Sequence, residues 1–226
     1  MIEVLFEIIP FAVGIAISPV PIITVILSLF SVKAVWNGPA FLLGWALGIL
    51  VVCIPVLMFT ETARVTTVTN PSTLASVIRV ILGVLLFVAA FFRWRTRPKA
   101  NEEPNIPKWL LMVEVISPFK VFVVGFFFAV ITNPKNMALT IAGILPIAHS
   151  FLSIPQKTTL VASFIIISSL GIAIPVVYYL VAGETARNIL NTWKKWLIFN
   201  NRAVVATLLL FFGVILISEG MKGLIP

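Results

Sequence analysis

The chain has no aspartate, and its eight acidic residues are all glutamate. It has one cysteine and one histidine, and only 11% of its residues are charged. Each scarcity excludes something. Divalent-metal transport needs several buried oxygen anions, and no such cluster is in prospect. A single Cys53 cannot form an internal disulfide and reads as a small buried hydrophobe. His149 alone makes neither a metal site nor a catalytic constellation. No Walker-type glycine-lysine loop occurs, so nucleotide hydrolysis by that route is excluded. The composition points to a protein without enzymatic activity, cofactor or bound metal. The first residues are acidic at Glu3 and lack a basic region or a cleavage site, so no cleaved signal peptide is expected.

Apolar sequence is abundant: 60% of the 226 residues are hydrophobic, and mean hydropathy is +1.13. A soluble domain of that length cannot hide so much apolar surface, so the chain is expected to be an integral membrane protein. Its net charge of +8 is then the excess of basic residues that membrane proteins keep in cytoplasmic loops, with no nucleic-acid partner implied.

Six segments of roughly membrane-spanning length are expected, at about 8–30, 39–60, 76–92, 118–148, 159–182 and 203–221. Gly44 and Gly48 in the second permit close helix approach. Between the third and fourth lies a polar linker rich in Arg, Lys and Pro, with Asn70-Pro71 marking a shorter loop before it. Between the fifth and sixth, Ile189, Leu190, Trp193, Trp196 and Leu197 fall on one helical face. That predicts an amphipathic helix lying at the membrane surface. In a six-span arrangement eleven of the sixteen Lys and Arg fall on one side and four on the other, with Lys135 inside the membrane. The bias puts the linker in the cytoplasm and both termini outside.

The second half echoes the first. Leu47-Gly48-Ile49 and Glu61-Thr62-Ala63-Arg64 recur as Leu170-Gly171-Ile172 and Glu184-Thr185-Ala186-Arg187, both at an offset of 123 (171 − 48 and 184 − 61). Ser18-Pro19 corresponds to Asn133-Pro134, and Gly83 to Gly213. Three spans per half is an odd number, so the halves should insert in opposite orientations. The expected fold is an all-α membrane protein of six transmembrane helices. They form two inverted three-helix repeats, residues 1–92 and 118–226, joined by a basic cytoplasmic linker, 93–117. Helices 1 and 4 are broken.

The breaks carry the chemistry. A buried lysine costs about 2.5–3.5 kcal/mol on insertion scales. A proline beside it removes a backbone donor. Ser18-Pro19-Val20-Pro21 and Asn133-Pro134-Lys135-Asn136 should each expose helix-start N–H groups near the midplane, where they favour an anion. Ser18, Pro19, Pro21, Asn133, Pro134, Lys135 and Asn136 are therefore the expected substrate-binding set. The cost of burying Lys135 would be offset by the substrate's negative group or by free carbonyls at a break. Glu61 with Arg64, and Glu184 with Arg187, are i, i+3 pairs at segment ends and are expected to act as helix-end locks or gates.

The paired motifs Pro19-Val20-Pro21 and Asn133-Pro134-Lys135 resemble the signatures of the LysE transporter superfamily. Ile17-Ser18-Pro19-Val20-Pro21 and Thr132-Asn133-Pro134-Lys135-Asn136 are most similar to those of its GAP group, the sulfolipid- or glycopeptidolipid-addressing proteins of actinobacteria. The resemblance covers nearly the whole chain. It implies a multi-pass protein of the bacterial inner membrane that exports a polar, anionic substrate, such as an envelope glycolipid. Amino-acid exporters of the superfamily usually carry Pro-Gly-Pro in the first span, where this chain has Val20. Export of amino acids or similar small solutes is the alternative, and a non-transporting scaffold for envelope-lipid export is another. Partners other than membrane lipid and substrate would be a second copy of the chain or lipid-export machinery.

Overall fold

The structure, a computed structural model, describes residues 1–64, 73–97, 117–130, 134–222 and 224. Among these residues it is all-helical. The helices are α1 (Ile2–Ala16), α2 (Pro19–Ser28), α3 (Ala34–Arg64), α4 (Thr73–Arg95), α5 (Pro118–Val130), α6 (Pro134–His149), α7 (Ile154–Ala182) and α8 (Ala186–Lys222). A single 3-10 turn, Gly183–Thr185, joins α7 to α8. The order repeats: a bent pair followed by two longer helices, twice. The pair α1 and α2 bends by 54° and the pair α5 and α6 by 65°.

Among the described residues, two helical stretches are long and apolar enough to cross a membrane, or up to four spans if each bent pair is one. The sequence suggests six. One of the two stretches, 154–222, runs for 69 residues, more than three times the roughly 20 that a single crossing takes. The apolar surface is distributed as a lipid-embedded chain requires. Trp45, Phe41 and Phe164 are fully buried, yet Met58, Phe59, Phe91, Ile166 and Val181 are exposed. Outward apolar faces on this scale mark contact with something other than water.

Two expectations are corrected. The surface helix near 187–197 and the sixth segment are one continuous helix, α8, of 37 residues. The physical reason is local: Phe199-Asn200-Asn201-Arg202 contains neither proline nor glycine, so no residue there interrupts the backbone ladder. The apolar face of its first turns is also partly covered. Leu190 is buried, and Trp193 stacks on Tyr178 with ring centroids 6.2 Å apart. The linker, expected from residue 93, begins later in backbone terms, because α4 continues through Arg95. Most of the linker and the Asn70-Pro71 loop lie outside the described residues.

The described chain forms two compact units, each drawing on both halves of the sequence. The first comprises 1–65 and 105–195, the second 66–104 and 196–226. In the first unit α1 packs on α6 and α7, and α3 packs on α5, α6 and α7. Glycines set these approaches. A Cβ on Gly44 would collide with Phe122 O, and one on Gly48 would lie 2.7 Å from Phe126 O, both on α5. The Gly44-x-x-x-Gly48 face is therefore used within the chain. Gly171, the repeat counterpart of Gly48, meets Ala16 O at the end of α1 in the same backbone-to-backbone way. Each recurring glycine thus packs against the first half of the other repeat's bent pair.

In the second unit α4 and the later part of α8 meet at Gly83 and Gly213. A Cβ on Gly83 would lie 2.9 Å from Gly213 O, and one on Gly213 would lie 3.1 Å from Gly83 O. The two repeat-related glycines face each other.

Candidate functional site

The break between α1 and α2 originates in Pro19. An uninterrupted helix would bond the N–H of residue 19 to Ile15 O, and proline has no N–H. The Ser18 N–H takes that place, bonding Ile15 O at 3.1 Å, while Ile17 N–H bonds Val13 O at 3.0 Å. That shift leaves Gly14 O open at the C-terminal end of α1. Ser18 becomes the residue preceding α2, with φ −68° and ψ 115°. Its side chain does not cap α2 and points instead to the other bent pair.

Lys135, at the second position of α6, fills the opening. Its Nζ donates to Gly14 O at 3.0 Å and to Ser18 Oγ at 2.7 Å. Ser18 Oγ in turn donates to Asn136 Oδ1 at 2.7 Å. Ser18 and Asn136 are each only 1% exposed, and Asn136 Nδ2 is buried with no hydrogen-bond partner. Among the described residues no carboxylate pairs with Lys135. A cation at a helix start faces the positive end of its own helix dipole, which is unfavourable. The open carbonyl at the end of α1, the negative end of that helix, offsets it.

Three of the expected site residues, Ser18, Lys135 and Asn136, therefore lie in one hydrogen-bonded cluster. Pro19 and Pro21 are buried beside it and act through the backbone. They also limit the expected supply of N–H groups: Pro19 and Pro21 have none, so only Val20 in the first three residues of α2 carries a donor. What the first break contributes instead is a carbonyl. Pro134 opens α6, and Asn133 lies outside the described residues. Gly14 is the participant that side-chain chemistry did not flag. Its signal was positional, since it lies four residues before Ser18, whose N–H the adjacent proline redirects.

The segment-end pairs differ. Arg187 Nε lies 2.8 Å from Glu184 Oε2, with the side chains 41% and 73% exposed. Tyr179 Oη donates to Glu184 Oε1 at 3.3 Å. Gly183, just before, has φ +56°, the only positive φ among the described residues, and nothing stands within 4 Å of the place its Cβ would occupy. Glu61 and Arg64 form the last turn of α3, and their side chains lie outside the described set. The Glu184–Arg187 pair is not part of the Lys135 cluster.

The family model described as Sap, sulfolipid-1-addressing protein, matches residues 8–222. The chain belongs to that family. The match covers the first bent pair from residue 8 onward, the whole of the second, and the polar cluster. No curated protein and no solved structure matches the chain.

Proposed function

We propose that the chain is a carrier that exports an anionic amphiphile through the cluster between its two helix breaks. The observation that carries this reading is the Lys135 ammonium. It lies between the α1–α2 break and the start of α6, with no carboxylate partner among the described residues, beside a buried and unused amide donor. Intramembrane charge of this kind marks a substrate pathway more often than a structural tie. Such a site attracts a sulfate, carboxylate or phosphate group, which the remaining Lys135 donor and the Asn136 amide would meet with the Gly14 and Ser18 contacts kept. The family's description names a sulfolipid, and an envelope lipid with an anionic head fits the chemistry of the cluster.

The architecture we assign to this function has six spans in two inverted three-helix repeats. They are the α1–α2 pair, α3, α4, the α5–α6 pair, α7, and the later part of α8. The reciprocal glycine contacts and the repeated element order support it. Alternating access would rock one repeat against the other about the fixed site. We assign the protein to the bacterial inner membrane, with both termini outside and the linker in the cytoplasm, on the charge bias of its Lys and Arg. Glu184 with Arg187, and Glu61 with Arg64, would hold helix ends.

The test is lipid translocation by the full chain in liposomes, read as leaflet exchange of a short-chain fluorescent sulfated lipid. The wild type should accelerate exchange. Lys135→Gln should reduce it at least about tenfold, the loss of one charge-assisted contact, while leaving the detergent-solubilised fold intact. Equal rates for the two would remove Lys135 from the pathway. A second reading has its own support: both observed contacts of Lys135 are internal, as they would be in a structural latch of an accessory scaffold. That reading gains if the wild type moves neither the sulfated lipid nor labelled amino acids. Movement of amino acids alone would favour the small-solute exporter.

A further inference from the structure

The cluster can be read proton by proton. A lysine ammonium has three donors and no acceptor. Two of the Lys135 donors go to Gly14 O and Ser18 Oγ. Ser18 Oγ must therefore accept from Lys135, and its single proton has to go elsewhere. Two acceptors lie within reach, Asn136 Oδ1 at 2.7 Å and Gly14 O at 3.5 Å. The carbonyl is distant and already engaged by Lys135, so the proton goes to Asn136 Oδ1.

This fixes the amide. With Oδ1 held by Ser18, the atom left over is Nδ2, a donor, and it is the buried unpartnered atom of the cluster. Reversing the amide would place Nδ2 against Ser18 Oγ. The hydroxyl proton would then have only the 3.5 Å carbonyl, and a buried oxygen would be left without a donor. Neighbouring hydroxyls do not compete. Thr140 Oγ1 donates to Asn136 O at 2.9 Å, and Thr24 Oγ1 to Val20 O at 2.8 Å, each within its own helix. Among the described residues, the groups of the cluster without a partner are thus the third Lys135 proton and Asn136 Nδ2, and both are donors.

We infer that Ser18 is a specificity-determining residue: its hydroxyl fixes the cluster as donor-only, so that the site selects anionic headgroups that carry acceptors and no proton. A headgroup that brings its own O–H or N–H finds no free acceptor among these described groups and leaves a buried donor unmatched, which sites of this kind reject strongly. The inference rests on the proposal that the cluster binds the substrate's anionic group.

Two probes of equal charge and chain length isolate the effect. Octyl sulfate has no proton. Octyl phosphate at pH 5 is also a monoanion but keeps one O–H, since the second ionisation of such a group lies at about 6. Dissociation constants are measured by calorimetry on the full chain in phosphatidylcholine nanodiscs. The wild type should prefer the sulfate by about tenfold or more, and Lys135→Gln should bind both weakly. Ser18→Ala releases the amide to turn, and the preference should fall to about twofold or less. Ser18→Thr keeps the hydroxyl and should keep the preference. Asn136→Asp replaces the free donor by an acceptor and should weaken sulfate binding by about tenfold, which serves if Ser18→Ala does not fold. If wild type and Lys135→Gln bind octyl sulfate alike, the site reading fails and takes the inference with it. If they differ but Ser18→Ala keeps the full sulfate preference, or Asn136→Asp binds sulfate as the wild type does, the inference alone is overturned.

Discussion

Lys135 Nζ is held 3.0 Å from the carbonyl of Gly14, a residue 121 positions earlier in the chain. That contact ties the two bent pairs together. It exists because Pro19 cannot supply the N–H that would keep the α1 ladder in register. A backbone defect in the first half thus creates the acceptor for a charge in the second.

Restoring the missing N–H should undo the arrangement. With Pro19→Ala, residue 19 can bond Ile15 O, Ser18 N–H returns to Gly14 O, and Lys135 loses its carbonyl. The bend, 54° in the wild type, should shrink. Distances between spin labels at Phe6 and Phe30 would report it as a lengthening, and unchanged distances would show that the proline is not what sets the break. Translocation should fall along with the bend, since a charge-assisted hydrogen bond contributes about 1.5–3 kcal/mol.

Gly171 tests the packing of α7 on α1. Gly171→Val drives a side chain into Ala16 O and should destabilise the chain by about 1–3 kcal/mol, the usual range for overpacking. Gly183→Ala meets no neighbour but must hold φ +56° with ψ −135°, at about 1–3 kcal/mol, part of which an open turn can relieve by shifting its backbone. Thermal melts in detergent should therefore rank Gly171→Val below Gly183→Ala. The opposite order would mean that α7 does not approach α1 as described.

The Glu184–Arg187 pair is largely exposed, and exposed pairs contribute about 0.2–1 kcal/mol. Glu184→Gln should shift the melting temperature only slightly and leave lipid exchange within about twofold of the wild type. A much larger loss of exchange at unchanged stability would make this pair a gate.

Topology can be read with single cysteines. Cys53 is buried, so Cys53→Ser supplies a background free of thiols. Ile2→Cys should react with an impermeant thiol reagent from the outside of intact cells, and Ala100→Cys only after the cytoplasmic face is opened. Labelling of both from the same side would contradict three spans per half.

Local rules acting on the amino-acid order settle one part of this protein. Apolar runs without strand alternation become helices. Ser18-Pro19 and Asn133-Pro134 mark interruptions because proline lacks a donor, and a lysine beside one of them announces polar chemistry. The recurring glycines at 48 and 171 were legible as a repeat, although not the helices they would meet. Glu-Thr-Ala-Arg shows where local reading stops. At 61–64 it is the last turn of α3, but at 184–187 it passes from a 3-10 turn into α8. The preceding residue separates the two cases: Thr60 continues the helix, whereas Gly183 takes a left-handed φ that only glycine adopts freely. Long-range packing settles the other part. It brings Lys135 to a backbone carbonyl instead of a carboxylate, and it turns Gly44 and Gly48 onto a helix of the same chain. A side chain's identity reveals what it needs, but its partner is fixed only when distant segments are brought together.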